Sequence, residues 1–177
     1  MDNKGYSPRA VDNMPIERTK FQETAGMVPT GVAVVTLPPA ACPHGVTVNS
    51  FDMVSLSPPL VSIALPDGTK AHELLRETSI DGFCLNVLTA DQRRLGRYFA
   101  DVSDLSENPF VAEPVRTAAS DAPVFEDSLA YIDCSVHDSY ETGDHTIYVG
   151  AVESADVLNR TATPLTHFRS DWHAAPE

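Results

Sequence analysis

Residues 30–65 read TGVAVVTLPPAACPHGVTVNSFDMVSLSPPLVSIAL, and this stretch decides the fold class. Three runs of β-branched and apolar residues, Thr30 to Thr36, Gly45 to Phe51 and Leu60 to Leu65, are divided by Pro38-Pro39 and Pro58-Pro59, and Pro66-Asp67-Gly68 closes the third. Such side chains suit a pleated surface, and proline cannot donate to a ladder, so the spacing predicts three neighbouring strands joined by turns. Asp52 to Ser55 reads as the loop that follows the second.

Working outward, Pro15 and Glu17 open a short helix over Ile16 to Met27, stopped near Gly26 and Pro29. Thr69 to Glu77 sets Ala71, Leu74 and Leu75 against Lys70, Glu73 and Arg76, the spacing of a small amphipathic helix. Phe83 to Leu88 is a buried strand by composition. Thr89-x-x-Gln92 has the capping-box pattern for a helix carrying Leu95, Tyr98 and Phe99. Asp101 to Phe125 lacks a period and reads as a long surface excursion. Leu129 to Tyr140 alternates, with Ala130, Ile132, Cys134 and Val136 inward and Tyr131, Asp133, Ser135 and His137 outward; Ile147, Val149 and Ala151 answer it across Glu141-Thr142-Gly143-Asp144, which predicts a hairpin. Six or more strands with short connections and few helices predict a mainly β fold: a small closed or partly closed antiparallel barrel with peripheral helices, since regular strand–helix alternation is missing.

A chain of 177 residues is long enough for one domain with a real core. Residues 1–15, with Pro8 and Pro15 and no apolar h-region, read as a flexible arm without a secretory signal, and residues 16–177 as the domain. Twelve Lys and Arg against 25 Asp and Glu give a net charge of −13, which speaks against nucleic acid or an anionic membrane as partner. Mean hydropathy is −0.14, and no apolar run approaches a membrane span. Cys42, Cys84 and Cys134 form no C-x-x-C pair, so reduced thiols and a cytoplasmic setting are expected.

No G-x-G-x-x-G, Walker loop, G-x-S-x-G or H-E-x-x-H motif occurs. The richest polar run, Thr47-Val48-Asn49-Ser50-Phe51-Asp52-Met53-Val54-Ser55, offers hydroxyls and an amide without charge. That set suits an uncharged heteroaromatic such as an isoalloxazine, although such residues more often merely end a strand and form a turn. Lys70, before a helix start, could meet a phosphate or be a solvated charge. His145, in Gly143-Asp144-His145-Thr146 at the hairpin end, could hydrogen-bond an amide or stabilise charge. A metal shared by His137 and His145 is disfavoured because no third ligand is spaced for it, so no metal site is expected. Cys84 and Cys134 read as buried, inert thiols.

Taken in order, Pro29-Thr-Gly-Val-Ala-Val-Val-Thr36, Thr47-Val-Asn-Ser-Phe51, Val54-Ser-Leu-Ser-Pro-Pro-Leu-Val61, Phe83-x-x-Asn-Val-Leu88 and Gly143-Asp-His-Thr-Ile147 resemble the flavin reductase-like family. The likeness, spanning about Phe21 to Trp172, is to the small NAD(P)H:flavin oxidoreductase component of two-component flavin monooxygenases. It implies a flavin-binding split β-barrel acting as a homodimer, FAD or FMN as flavin, NADH or NADPH as hydride donor, and a partner monooxygenase that receives reduced flavin. Thr30 and Val32 would line the flavin ring, Thr47, Val48, Asn49 and Ser50 would bind its ring and chain, and Ser55 and Lys70 would approach its phosphate. Gly143, Asp144 and His145 would face the nicotinamide nucleotide, with His145 setting hydride geometry and, when neutral, donating to the carboxamide or pyrophosphate. Met53, Ser57 and the Asp101 to Phe125 segment depart from the family pattern and bear on flavin selectivity and pocket shape. Two other functions stay open: a non-turnover flavin- or haem-binding module on this barrel, and a reductase of an organic substrate with tightly held flavin.

Overall fold

The computed structural model describes residues 16–39, 43–76, 80–103 and 107–175; the expected arm over residues 1–15 and Cys42 lie outside them. The elements run α1 (Arg18–Ala25), β1 (Thr30–Gly31), β2 (Ala33–Leu37), β3 (His44–Val48), β4 (Phe51–Leu56), β5 (Pro59–Pro66), α2 (Lys70–Arg76) and β6 (Gly82–Val87). A single 3-10 turn, Ala90–Gln92, leads into α3 (Arg93–Phe99) and α4 (Pro109–Ala112). The chain ends with β7 (Val115–Thr117), β8 (Pro123–Phe125), β9 (Ala130–Thr142), β10 (His145–Val157), β11 (Leu165–Phe168) and β12 (Asp171–Ala174). The Thr89 N–H donates to Gln92 Oε1 at 3.2 Å, the backbone half of the expected capping box.

Seven strands form one antiparallel sheet in the order β3-β2-β6-β9-β10-β5-β4. It curls without closing. Its edges, β3 and β4, share no ladder and are joined at the Asn49-Ser50 corner, where the Ala64 N–H donates to the Ser50 carbonyl at 2.9 Å. This is the partly closed antiparallel barrel that the strand count predicts. Its interior holds Ala33, Val35, Leu37, Ile63, Leu65, Phe83, Leu85 and Tyr148, and α2 covers it with Ala71 and Leu75. Phe83 crowds Gly150, where a Cβ would lie 2.6 Å from its Cζ and force the packing to shift.

Four expectations change. The run Thr30 to Thr36 is two strands: β1 pairs with β11 in a three-stranded sheet with β12, and the chain changes sheets at Val32. Asp52 to Ser55 is part of β4, paired with β5 from Phe51↔Ile63 to Leu56↔Pro59, and is not a loop. The start of β9 is covered on both faces, because Tyr131 and Asp133 are buried along with Cys134. What covers them is the segment expected on the surface: Ala122, Val124 and Phe125 are buried, and β7 and β8 form a small hairpin. The Asp133 carboxylate accepts from the Ser120 N–H at 2.9 Å and from the Ser120 hydroxyl, which fastens that hairpin down. A second core of Val32, Val34, Leu88, Leu95, Phe125 and Leu165 fills the space between β2, α3 and β11. With Val34 on one side and Ala33 and Val35 on the other, β2 is dry on both faces, which its unbroken apolar run requires.

Candidate functional site

The Asn49-Ser50 corner is where three distant segments meet. Asn49 Nδ2 donates to Thr30 Oγ1 at 3.2 Å and lies 3.3 Å from His167 Nδ1, and Thr30 and His167 are ladder partners on β1 and β11. An amide nitrogen can only donate, so in this arrangement His167 Nδ1 is the acceptor. Ser50 Oγ donates to the Ala64 carbonyl at 2.8 Å and keeps its lone pairs. Asn49 Oδ1 has no partner among the described residues. The corner therefore presents neutral acceptors and a Thr30 hydroxyl proton, with Phe51 beneath; a Cβ on Gly31 would sit 3.1 Å from its ring, so the glycine lets strand and ring approach. The Thr30 hydroxyl suits a flavin carbonyl or ring nitrogen, and the acceptors suit its ring N–H.

Sequence reasoning missed His167. The only signal was a histidine between Thr166 and Phe168 in a short run after Pro164. Three predicted residues do not join the corner. Val32 is 1% exposed in the second core, and its N–H and C=O are spent on Leu165 and Leu88, so it has nothing to offer a ring. Val48 is buried in the barrel interior. Thr47 turns the other way, its hydroxyl donating to the Gly96 carbonyl at 2.6 Å and tying β3 to α3.

Ser55 and Lys70 are also apart within one chain. Ser55 pairs with Leu60 at the start of β5, whereas Lys70 follows the end of that strand. Ser55 Oγ accepts from the Ser57 N–H at 3.3 Å. Lys70, in a surface pair with Glu73 at 3.5 Å, borders a cavity of about 580 Å³ walled by His44, Val46, Tyr98, Phe99 and Phe110. Burial, and secondarily the Lys70 charge, pushes the His44 imidazole below its ordinary range, so it is neutral beside the ammonium.

The hairpin of β9 and β10 ends in Gly143-Asp144, two residues between the partners Thr142 and His145. Gly143 takes φ +65°, and Asp144 is not among the positive-φ residues, the order of signs of a type II′ turn. His145 Nδ1 lies 2.7 Å from Asp144 Oδ1, and that bond, with the imidazole's charge, holds the Asp144 carboxyl below its usual range. An ionised carboxylate only accepts, so the proton is on Nδ1. This corrects the expected role of the neutral ring: its Nε2 is an acceptor, and donates only when the imidazole is protonated. His145 shares the outer face of β10 with Ile147, while Thr146 and Tyr148 are buried beneath. Ala64 pairs with Ile147 and bonds Ser50, so the corner lies two strand spacings from β10, about 10 Å, and His145 about 7 Å further toward the tip. His137 falls in the bulge opposite Val149 and Gly150, well away from His145. Among the described residues no three metal-ligating side chains cluster.

Cys84 and Cys134 are buried, and burial, then the Asp133 charge, pushes both thiols up, Cys134 to about 12. Neither is a nucleophile at neutral pH. No helix among the described residues is long and apolar enough to cross a membrane.

Residues 25–176 match the family described as flavin reductase like domain. The NADH-dependent FAD reductase of Streptomyces globisporus is 39% identical over 146 residues, 80% of this chain and 77% of that protein. The flavin-dependent monooxygenase reductase subunit HsaB of Mycobacterium tuberculosis is 32% identical over 160 residues, 89% of this chain and 82% of its own. The structure of the Streptomyces globisporus NADH:FAD oxidoreductase SgcE6 in complex with NAD and FAD fragments superposes with a TM-score of 0.80 at 33% identity, covering 90% of this chain and 93% of that one. With nearly its whole folded length matched, this chain belongs to the flavin reductase like domain family.

Proposed function

We propose that the chain is an NADH-dependent flavin reductase that reduces free FAD or FMN and releases it to a partner flavin-dependent monooxygenase, as the names of its relatives suggest. The observation that carries this reading is the neutral corner of Thr30, Asn49 and Ser50, set two strands from the exposed Nε2 of His145. The flavin supplies the electrophilic N5 that takes the hydride, and the nicotinamide supplies the hydride itself. The protein's share is positioning. Asn49 and Ser50 hold the ring edge, Thr30 donates to it, and His167 keeps the Asn49 amide turned so that Oδ1 faces out. Gly143 and Asp144 set His145, whose Nε2 accepts from the carboxamide of NADH. Lys70 faces a phosphate.

The working form is a homodimer in the cytoplasm. Supporting the dimer, β4 is an edge strand of the large sheet and carries exposed Met53, Val54 and Leu56, the last 92% exposed. Such a row on an unpaired edge invites a second chain. The test of function is anaerobic NADH oxidation with FAD, FMN and riboflavin each supplied free. Many equivalents of flavin reduced per chain are expected. Reduction that stops at one equivalent sinks the release of reduced flavin and favours a tightly held cofactor.

A further inference from the structure

The His145 hairpin tip has little to hold it. Nothing packs within 4 Å of where a Gly143 side chain would be, and Asp144 is exposed. The ladder to β5 ends at the pair His145↔Pro66, and proline has no N–H to give. The next donor along, the Asp67 N–H, bonds the Asp144 carbonyl at 3.0 Å. The tip is therefore placed by the Asp67-Gly68 turn.

That turn is itself held from beneath by side chains that the proposed reaction does not use. Thr146 Oγ1 donates to Asp67 Oδ1 at 3.0 Å. His72, buried on α2, brings Nε2 to 3.9 Å from the same oxygen, too long for a direct hydrogen bond. Its other nitrogen, Nδ1, lies 2.9 Å from the Tyr148 hydroxyl inside the barrel. Burial holds the Tyr148 hydroxyl in its protonated form, and it also reaches the His72 carbonyl at 3.4 Å, so Tyr148 grips both the ring and the backbone of His72 and leaves Nε2 facing the carboxylate. Thr69 completes the turn: its hydroxyl donates to the Pro66 carbonyl at 2.9 Å and accepts from the His72 N–H at 3.3 Å.

We propose that His72 is a positioning residue for hydride transfer: anchored by Tyr148, it fixes Asp67, and through the Asp67–Asp144 backbone bond it sets where His145 meets the nicotinamide nucleotide. This rests on the reading of His145 given above. The arrangement is uneven in its consequences. Among the described residues the Asn49 corner shares no hydrogen bond or ion pair with His72, Tyr148 or Asp67 and meets β5 at Ala64, ahead of the turn, so loosening this anchor moves NADH recognition more than flavin recognition.

The experiment compares wild type, His72→Ala, His72→Gln, Tyr148→Phe, His145→Ala and the double variant His72→Ala/His145→Ala. The readouts are KM and kcat for NADH, FAD affinity by fluorescence, and the ring nitrogen resonances of His145. His72→Ala should raise KM for NADH about three- to tenfold, the scale of coupling through a packed network, and shift the His145 resonances, with FAD affinity within about twofold. His72→Gln, which can accept from Tyr148 and donate to Asp67, should recover most of the loss. On a His145→Ala background, His72→Ala should add nothing. Tyr148→Phe, which removes one oxygen, should show a smaller change of the same kind and decides the matter if His72→Ala does not fold. A normal KM in His72→Ala and Tyr148→Phe alongside an impaired His145→Ala overturns the anchor and spares the reading of His145. Additive effects, or an equal loss of FAD affinity, also overturn the anchor. A His145→Ala enzyme with unchanged NADH kinetics removes the reading of His145 and this inference together.

Discussion

Asn86 is buried to 0% exposure near the end of β6, and replacing it by alanine should unfasten the small hairpin of β7 and β8. Its Oδ1 accepts from the Phe125 N–H at 2.9 Å; its Nδ2 faces Thr36 Oγ1 at 3.1 Å and the Val34 and Pro123 carbonyls at 3.3 Å. Deleting the amide leaves the Phe125 N–H buried and unpaired, a cost of about 1–3 kcal/mol. The Pro123 carbonyl keeps the Thr36 hydroxyl, so it is not orphaned. A small cavity adds about 1 kcal/mol, for a total of about 2–4 kcal/mol. In a chain of this length that lowers the melting temperature by roughly 5–15 °C. Chemical denaturation gives the free energy, and amide exchange should show lost protection centred on Phe125. Asn86→Asp should be worse than alanine at neutral pH, because it keeps the acceptor for Phe125 but turns a carboxylate toward two carbonyls. A loss below about 1 kcal/mol, or Asp tolerated better than Ala, refutes the assignment of this amide as the fastener.

Gly150→Ala places a Cβ 2.6 Å from Phe83 Cζ and 2.7 Å from Cys134 Cβ, so it should cost about 1–3 kcal/mol of overpacking in equilibrium denaturation. Asp144 titrates below its usual range because of His145, so the attraction between them is present above the ordinary carboxylate value and is lost as pH falls through the depressed one. Carbon-detected NMR should show that low midpoint, and His145→Ala should raise it toward the ordinary value, the backbone bond and Arg18 keeping part of the shift; no rise means the pairing is not what lowers it. Sedimentation should give a mass near twice 19.1 kDa, and a monomer that binds FAD as tightly as any dimer would contradict the assembly proposed from the β4 edge.

Strands were legible where the physics is local. The β-branched run of β2, the alternation of β10 and the glycine at the first position of the hairpin turn each state their conformation within a few residues. The start of β9 departs from its alternation because a strand can alternate and still be covered on both faces. Tyr131 and Asp133 look like surface residues until a segment some ten positions upstream covers them, and that segment hides its core residues, Ala122, Val124 and Phe125, among proline and polar neighbours. The motif Phe83-x-x-Asn86 did carry the message, since a polar residue in an apolar strand core needs partners; only the identity of those partners, Phe125 and Thr36, required the fold.

At the site the same division holds. Asn49 and Ser50 are recoverable as polar residues at a strand end. The strand period puts Thr47 on the face of Asn49, but its hydroxyl is spent on the Gly96 carbonyl of α3, a partner only the fold supplies, while Val48, of the opposite parity, is buried in the core. His167 is reached through a ladder between β1 and β11, and a pairing so distant in sequence leaves no periodic trace in either strand. His72 stands on α2 between Ala71 and the Leu74-Leu75 pair, and the helical spacing assigns it to neither face; the structure buries it with Ala71 and Leu75. What the period could not supply was the reason a titratable ring is tolerated there, and the answer is geometric: Tyr148 takes one nitrogen and the Asp67 carboxylate faces the other, so the histidine is buried because it joins the barrel interior to the turn that carries His145.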